Sequence, residues 1–326
     1  MYKLNDLKEK LKITDQSIEC PVKGCNVIVD RMYRTGNEGK NFECSIHKIK
    51  ITPSTFIYNS DADNLLWNDN EDKTLLDNIS IVKRECRMSS ENSEDALSWN
   101  VFRYLEKNQL LSTFLNDISN DDHKIIDIIY WSYSENEKKL WSFLRNARLE
   151  FGESFDKGSE PDIMVLTDKT LFFIEAKYLS SNKTSGTGET LIKRIDNSKK
   201  YESGGNKHFD KIFKSDYKSL VRDQKYELMR FWILGTWIAK KNNLKFHLVN
   251  LVLENEELNI KQDFDNHIVT DSNNTFSRYT WEAIYSLILC NNSQDKDSLS
   301  ILDYFKYKAA SYDNKGLLKK AFNIDK

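Results

Sequence analysis

The chain has 326 residues, of which 39% are hydrophobic and 30% are charged, as in an ordinary globular protein. This length can hold one sizeable core and a smaller module, and three prolines and eleven glycines are too few for long disordered linkers. No run approaches the ~20 apolar residues of a membrane span, and residues 1–8 lack the apolar centre of a signal peptide. We therefore expect a cytoplasmic protein without a membrane partner.

Three cysteines and a histidine near the start of the chain have the spacing of a zinc site. Four residues separate Cys20 from Cys25, and two separate Cys44 from His47. Thiolates and an imidazole on two such turns are typical ligands of structural Zn²⁺, whereas disulfides are rare in the cytoplasm. The pattern resembles a zinc ribbon, with strands expected at 27–29 and 49–51. We expect residues 1–56 to form this module, held by Zn²⁺ because so short a segment cannot build a sufficient core.

Residues 57–90 are predicted to form a connector that packs on the following domain. The connector ends in a basic stretch at 83–87, just before the first predicted helix of that domain. Arg84 and Arg87 in this stretch can contact phosphate groups, and they are equally well explained as surface charge. Both arginines are candidate nucleic-acid-binding residues.

Two helices are predicted before the middle of the chain. The first covers 93–105, where apolar side chains recur at helical spacing and where Asn92 or Ser93 can cap the start. The second covers 140–149 and leads into the segment with the clearest chemical pattern.

A β-hairpin is predicted where two apolar runs, 163–166 and 171–174, flank a polar turn. A four-residue turn and a symmetric two-residue turn both place Asp162 opposite Glu175, with Lys177 on the same face. Opposed carboxylates repel each other unless a cation lies between them, and Mg²⁺ suits such oxygen ligands. The alternative is a surface hairpin with ordinary salt bridges, but the second run is fully apolar and so predicts a buried strand.

Asp162, Glu175 and Lys177 resemble the signature of the PD-(D/E)XK nuclease superfamily. In that signature an aspartate after a proline is followed by Glu-x-Lys on the next strand, and the resemblance covers about residues 80–255. It implies an α/β fold of the restriction-endonuclease-like type, with a mixed central sheet flanked by helices, in a domain at 91–326. It also implies catalysis of phosphodiester hydrolysis, mostly in DNA, with Mg²⁺ or Mn²⁺ bound by the two carboxylates.

The same resemblance implies an acidic residue on the first core helix. Glu94 is the candidate for this catalytic role because it precedes Leu97 by three residues and Val101 by seven, which places it on the apolar stripe. Asp95 is the rival. The alternative explanation is a glutamate in the first turn that complements the helix dipole.

The segment after the hairpin is basic, although the net charge of the whole chain is −2. Between residues 179 and 241 there are 14 Lys or Arg residues and 7 Asp or Glu residues, which suits contact with a nucleic-acid backbone. Residues 180–205 are rich in Ser, Gly, Asn and Lys and predict a mobile loop. The candidate nucleic-acid-binding residues of this segment are Lys193, Arg194 and Arg230.

Further helices and a strand are predicted in the last third of the chain. A helix at 219–240 carries several polar residues, among them Glu227 and Arg230. The resemblance implies that a polar residue of this helix supports the active site, without indicating which one. A strand is expected at 246–253, and an amphipathic helix at 302–322.

These patterns fit three functions. The first is a Mg²⁺-dependent nuclease that hydrolyses DNA, with RNA left open as a substrate, and a restriction or phage-defence system is a fitting context. The second is a nucleic-acid-binding subunit with a nuclease fold and little activity, against which the intact acidic residues and lysine argue. The third is a nuclease that needs a partner protein, and a second copy of the chain or a defence-system protein would be that partner.

Overall fold

The computed structural model describes residues 1–83, 85, 87–291 and 294–324. Their contacts divide the chain into two units, and none of the helices in these ranges is long and apolar enough to cross a membrane. The first unit comprises Met1–Asn68, Arg87–Asn108 and Trp281–Lys326, and the second comprises Asp69–Cys86 and Gln109–Thr280. This division differs from the predicted boundaries at 56 and 90, because both the helix after Arg87 and the C-terminal segment belong with the N-terminal module.

The secondary structure is mixed. The strands are β1 (Ser17–Glu19), β2 (Ile28–Asp30), β3 (Lys50–Ile51), β4 (Phe56–Ile57), β5 (Ile125–Tyr130), β6 (Tyr133–Ser134), β7 (Lys139–Leu140), β8 (Ile163–Thr167), β9 (Thr170–Ala176), β10 (Lys245–Val252), β11 (Asn274–Thr280), β12 (Ala309–Tyr312) and β13 (Leu318–Lys320). The α-helices are α1 (Asn70–Val82), α2 (Glu94–Lys107), α3 (Leu111–Ser119), α4 (Ser142–Glu150), α5 (Gly188–Asp196), α6 (Ser198–Lys207), α7 (Phe209–Ile212), α8 (Tyr217–Arg222), α9 (Tyr226–Lys241), α10 (Ile260–Asp265), α11 (Trp281–Cys290) and α12 (Lys296–Tyr307).

In the first unit, short β-ribbons form the N-terminal module. β1 pairs with β2 and β3 pairs with β4, both antiparallel, which confirms the strands predicted at 27–29 and 49–51. The apolar core of the module also contains Ala309 and Tyr312 of β12. The module therefore gains from the C-terminal hairpin part of the apolar surface that its own residues cannot supply.

The helices of the first unit agree with the sequence at 93–105 and differ near the C-terminus. The Ser93 hydroxyl caps α2 by accepting a hydrogen bond from the Ala96 N–H at 3.0 Å. The helix predicted at 302–322 is wrong in its second half, where the β12–β13 hairpin follows α12. The hairpin turn is fixed because the Asp313 carboxylate accepts two backbone N–H groups and Gly316 has a φ of +77°.

The second unit is built around a mixed sheet flanked by helices, as predicted. Among the described residues the sheet has seven strands, in the order β11-β10-β9-β8-β5-β6-β7. The pairs on either side of β8 are antiparallel, whereas β9, β10 and β11 run parallel. The hairpin of β8 and β9 therefore lies in the middle of the sheet.

The register of the β8–β9 hairpin is the predicted one. Met164 pairs with Phe173 and Leu166 pairs with Leu171, so that continued pairing sets Asp162 opposite Glu175. The turn is the two-residue alternative, and the Thr167 hydroxyl accepts a hydrogen bond from the Thr170 N–H across it at 2.9 Å.

Helices α4 and α9 pack on one face of this sheet and cover its apolar side chains. Gly235 permits the close approach of α9, because a Cβ there would lie 2.0 Å from the Phe246 ring. The helix predicted at 219–240 is divided into α8 and α9 at Gln224, whose φ is +62°. The helix predicted at 140–149 and the strand predicted at 246–253 are confirmed by α4 and β10.

The loop predicted at 180–205 is wrong over most of its length. It contains α5 and the start of α6, and the latter departs from helical backbone angles at 204–206. Leu191 and Ile195 pack against the core, and Tyr201 is fully buried. Because the segment is mostly polar in composition, its sequence does not indicate these apolar contacts.

Candidate functional site

The adjoining ends of β8 and β9 bring together the three residues predicted from the hairpin. One Asp162 carboxylate oxygen, Oδ2, accepts a hydrogen bond from the Ala176 N–H at 2.9 Å. The other, Oδ1, accepts one from the Trp131 indole N–H at 3.2 Å. Asp162 is thereby fixed beside the strand that carries Glu175 and leads into Lys177.

Lys177 lies between two carboxylates, one of which comes from α9. Its ammonium contacts Glu175 Oε1 and lies 3.2 Å from Glu227 Oε2. Glu175 is 3% exposed and Lys177 is 8% exposed, so both charges are withdrawn from water. Each charge lowers the cost of burying the other, and Lys177 has Glu227 as a second acidic neighbour.

Glu227 was not singled out from the sequence, although a signal for it existed. Glu227 and Arg230 are the charged residues in an otherwise uncharged stretch at 226–239. A spacing of three places them on one face of α9. Two charges on one side of an apolar helix indicate that this side faces a polar site.

The electrostatics of the site centre on Glu175. Burial raises the pKa of Glu175 well above its usual range, the Lys177 ammonium lowers it, and the Asp162 and Glu227 carboxylates raise it further. Glu175 Oε2 is buried and has no hydrogen-bond partner among the described residues. The site therefore combines three carboxylates with the Lys177 ammonium, and one Glu175 oxygen has no hydrogen-bond donor among the described residues.

A buried amide cluster holds the chain segment that leaves β9. Asn250 of β10 pairs in register with Glu175, and its side-chain oxygen accepts a hydrogen bond from the Asn182 amide at 2.7 Å. Glu257 accepts hydrogen bonds from the backbone and side chain of Asn182, at 2.7 and 2.5 Å. These bonds fix the segment directly after Lys177.

Two of the predicted nucleic-acid-binding arginines meet at one aromatic ring. The guanidinium carbons of Arg194 and Arg230 lie 4.7 and 4.8 Å from the centre of the Tyr226 ring. Lys193 instead points to solvent. Its side chain is 78% exposed, and its Nζ lies 3.8 Å from Glu189 Oε2. Of the two adjacent residues Lys193 and Arg194, only Arg194 therefore lies against the Tyr226 ring.

The remaining candidates lie in the first unit or outside the described residues. Glu94 is the first residue of α2 in the first unit, whereas the hairpin residues lie in the second, so its catalytic role stays a prediction. Arg87 is exposed, and its backbone N–H donates to the Asp95 carboxylate at 3.3 Å. Arg84 lies outside the described residues.

The four predicted zinc ligands converge on one point. Their ligand atoms all lie within 4.8 Å of one another, with 3.7 Å between Cys25 Sγ and Cys44 Sγ. His47 Nδ1 lies 3.6 Å from Cys20 Sγ and 3.5 Å from Cys44 Sγ. Bonds of ~2.3 Å to sulfur and ~2.0 Å to nitrogen in a tetrahedron require about 3.8 Å between sulfurs and about 3.5 Å between sulfur and nitrogen. The cluster can therefore hold a metal ion such as zinc.

The second unit also has a cavity of about 450 Å³, at the opposite ends of β9 and β10 from Glu175. His123 and His247 line it, and their ring nitrogens meet the hydroxyls of Ser119 at 2.7 Å and Ser277 at 2.9 Å. Burial lowers the pKa of His247 to about 4, so its imidazole is neutral at pH 7. Among the described residues these histidines have hydroxyl partners, unlike Glu175 Oε2 at the other end of β9.

Comparisons with known proteins identify no relative. The chain matches no protein-family model, and searches of curated proteins and of solved structures also give no match. The described residues define an α/β protein with a carboxylate-lysine site in its sheet and a Cys₃His cluster in its N-terminal module.

Proposed function

We propose that the protein is a metal-dependent nuclease of the PD-(D/E)XK type that hydrolyses phosphodiester bonds in DNA. The observation that carries this proposal is the meeting of Asp162, Glu175 and Lys177 at the ends of two central strands. Glu227 of α9 adds a third carboxylate to this cluster. The clustered carboxylates, and the Glu175 Oε2 that has no hydrogen-bond partner among the described residues, fit a hard divalent cation, for which Mg²⁺ or Mn²⁺ is proposed.

The chain's own residues have distinct parts in this proposal. Asp162 and Glu175 would hold the ion, which when bound supplies a Lewis acid for a phosphate oxygen. Lys177 would orient the attacking water and balance negative charge on the phosphate. Glu227 would position Lys177 through their 3.2 Å contact. In the N-terminal module, Cys20, Cys25, Cys44 and His47 would hold a structural Zn²⁺.

The first experiment compares cleavage by the wild type with cleavage by the Asp162→Asn and Lys177→Ala variants. The substrates are supercoiled, linear and single-stranded DNA and single-stranded RNA, each with Mg²⁺, Mn²⁺ or EDTA. Loss of a group that stabilises charge in the transition state should lower the rate by about 10³-fold. We expect metal-dependent cleavage of DNA by the wild type and a loss of this order in both variants.

The Asp168→Asn variant is the matched control. Asp168 lies in the turn of the same hairpin and also accepts a backbone N–H, from Lys124 at 3.0 Å, but it is far along the strand from Glu175. The Asp168→Asn variant should cleave DNA at the wild-type rate. Wild-type rates in Asp162→Asn would refute the nuclease proposal. If the wild type binds DNA without cutting it, the alternative of a partner-activated or non-catalytic subunit is favoured.

A further inference from the structure

Several buried polar atoms without hydrogen-bond partners lie on β9 and on the elements that follow it. Among the described residues they include Glu175 Oε2, Asn182 Oδ1, Ser185 Oγ, Arg194 Nη1, Glu227 Oε2 and Arg230 Nε. An unpaired buried polar group costs ~1–3 kcal/mol, and native proteins keep few of them. The Glu175 oxygen is explained by the proposed cation, whereas the arginine nitrogens are donors and call for an anion.

The two arginines and the serine are brought together by short-range contacts. The Glu227 N–H donates to the Thr184 hydroxyl at 3.0 Å, and the Gln224 amide donates to the Gly186 carbonyl at 3.1 Å. The 184–186 turn is therefore attached to the start of α9. Gly186 also lies against α5, since a Cβ there would be 3.8 Å from Arg194 Nη1.

The charge of Arg194 is not balanced by a neighbouring acid. In the described part of the chain no carboxylate forms an ion pair with Arg194, although its side chain is half-buried. Burial alone would lower the pKa of Arg230, but the Glu153 carboxylate and other acidic neighbours raise it overall, so that the charge of Arg230 is already balanced and Arg194 is the guanidinium that lacks an acid among the described residues. Ser185 is fully buried, and its hydroxyl has no partner among the described residues.

We propose that Arg194, Arg230 and Ser185 form a second phosphate-binding subsite beside the carboxylate-lysine site. A guanidinium binds phosphate through paired N–H donors, and the Tyr226 ring holds both guanidinium groups in place. This proposal rests on the proposed nuclease function and names the group that the subsite takes. That group is another phosphate of the nucleic-acid strand that is cut.

The spacing along α9 agrees with a neighbouring phosphate. Arg230 follows Glu227 by three residues, which is a rise of about 4.5 Å along the helix. The subsite would therefore take a phosphate close to the scissile bond. Such a phosphate belongs to the backbone within a strand or to a 5′-phosphorylated end.

The test is the salt dependence of DNA binding by Arg194→Gln, with Lys169→Gln as the matched control. Both variants remove one positive charge, but Lys169 lies in the turn of the β8–β9 hairpin, at the opposite end of β9 from Glu175, and only Arg194 lies in the subsite. A fluorescent 20-nucleotide single strand is titrated by anisotropy in EDTA, so that no cleavage occurs. We expect Arg194→Gln to bind the strand about tenfold more weakly. In a plot of log association constant against log salt concentration, the negative slope should be less steep by about 0.7.

The control and a second variant decide the result. Lys169→Gln should keep the wild-type slope, and Arg194→Lys, which keeps the charge but loses the paired donors, should keep the slope and bind more weakly. Equal slopes for Arg194→Gln and the wild type, or equal changes in Arg194→Gln and Lys169→Gln, would overturn the subsite. Unchanged melting temperatures show that the variants are folded.

Whether the subsite takes a terminal or a backbone phosphate is decided by the same titrations, made with 5′-phosphate and 5′-hydroxyl strands. If Arg194→Gln loses only the preference for the 5′-phosphate, the subsite takes a terminal phosphate. If binding of both strands weakens equally, it takes a backbone phosphate, and either result supports the subsite. Cleavage assays in Mg²⁺ report separately on the nuclease, so a wild type that binds with the expected slope but never cuts would refute only the proposed function.

Discussion

Among single residues, Glu175 is a carboxylic acid of the proposed site whose ionisation the fold opposes. Burial and the Asp162 and Glu227 carboxylates raise its pKa, against the lowering by Lys177. Above the ordinary glutamate pKa of about 4.3, the folded protein therefore binds more protons than the unfolded chain. The stability of the metal-free protein should then fall as pH rises from there through the raised pKa.

The Glu175→Gln variant tests whether stability falls, as predicted, when pH rises. At pH 7 in EDTA it should melt about 2–4 °C above the wild type, the shift that a gain of about 1 kcal/mol produces. At pH 4 the difference should vanish, and Mg²⁺ should raise the melting temperature of the wild type only. Calorimetry from pH 4 to pH 8 measures this, with Glu189→Gln, whose side chain is 91% exposed, as the unaffected control. A Glu175→Gln protein less stable than the wild type at pH 7 would contradict the prediction.

Glu227 should act on catalysis through Lys177. The Glu227→Gln variant keeps the shape of the side chain but no longer balances the ammonium 3.2 Å away. Loss of a group that orients a catalytic partner costs about 10–100-fold in activity. We expect this loss in kcat, with KM nearly unchanged, and a shifted pH profile. Asp223→Asn, an exposed carboxylate just before α9, should have wild-type kinetics, and a Glu227→Gln loss confined to KM would disprove the positioning role.

At the scale of elements, the metal cluster is the feature on which the N-terminal module depends. Structural Zn²⁺ supplies ~10–16 kcal/mol of folding energy in zinc-finger peptides. Purified protein should contain one zinc per chain by elemental analysis. Cys25→Ser should lose it, and the backbone amides of β1 to β3 should then exchange hydrogen rapidly. Cys290→Ser removes an exposed thiol outside the cluster and should change neither property. Slow exchange in zinc-free Cys25→Ser would show that the module folds without metal.

Which elements could be predicted depended on whether their partners lie nearby in sequence. The β8–β9 hairpin and the zinc turns are local, so the spacing of their residues is enough to predict them. β5 was not predicted, because Asp127 interrupts its apolar run. The structure buries that carboxylate and satisfies it with the Ser134 hydroxyl at 2.5 Å and the Asn136 N–H at 3.3 Å. Partners of this kind come from the next strands and cannot be read from a hydrophobic pattern.

At the scale of the whole molecule, domain boundaries predicted along the sequence do not show which distant segments fold into one unit. Lys308 shows the reason within the first unit. Its buried ammonium lies 2.9 Å from Glu91 Oε1 and 3.3 Å from Asn64 Oδ1, so one ion pair joins three distant segments. A lysine within the amphipathic helix predicted at 302–322 indicates a solvated face, and only the folded chain reveals that Lys308 is buried.

Tyr312 allows this long-range dependence to be tested. It is 4% exposed in the core of the N-terminal module, and its hydroxyl donates to the Lys8 carbonyl at 2.9 Å. Tyr312→Ala should destabilise the first unit by about 3–5 kcal/mol, as other large aromatic truncations do. Because the metal cluster shares this core, zinc should pass faster to a chromogenic chelator.

Tyr33→Ala is the control for this experiment, since Tyr33 belongs to the module itself but is 42% exposed. Its zinc release should equal that of the wild type, and its stability should change by less than about 0.5 kcal/mol. If Tyr312→Ala releases zinc no faster than Tyr33→Ala, the module is independent of the C-terminal hairpin, and the predicted boundary at residue 56 is the better description. Faster release would show that a residue more than 250 positions away in sequence helps to hold the metal site.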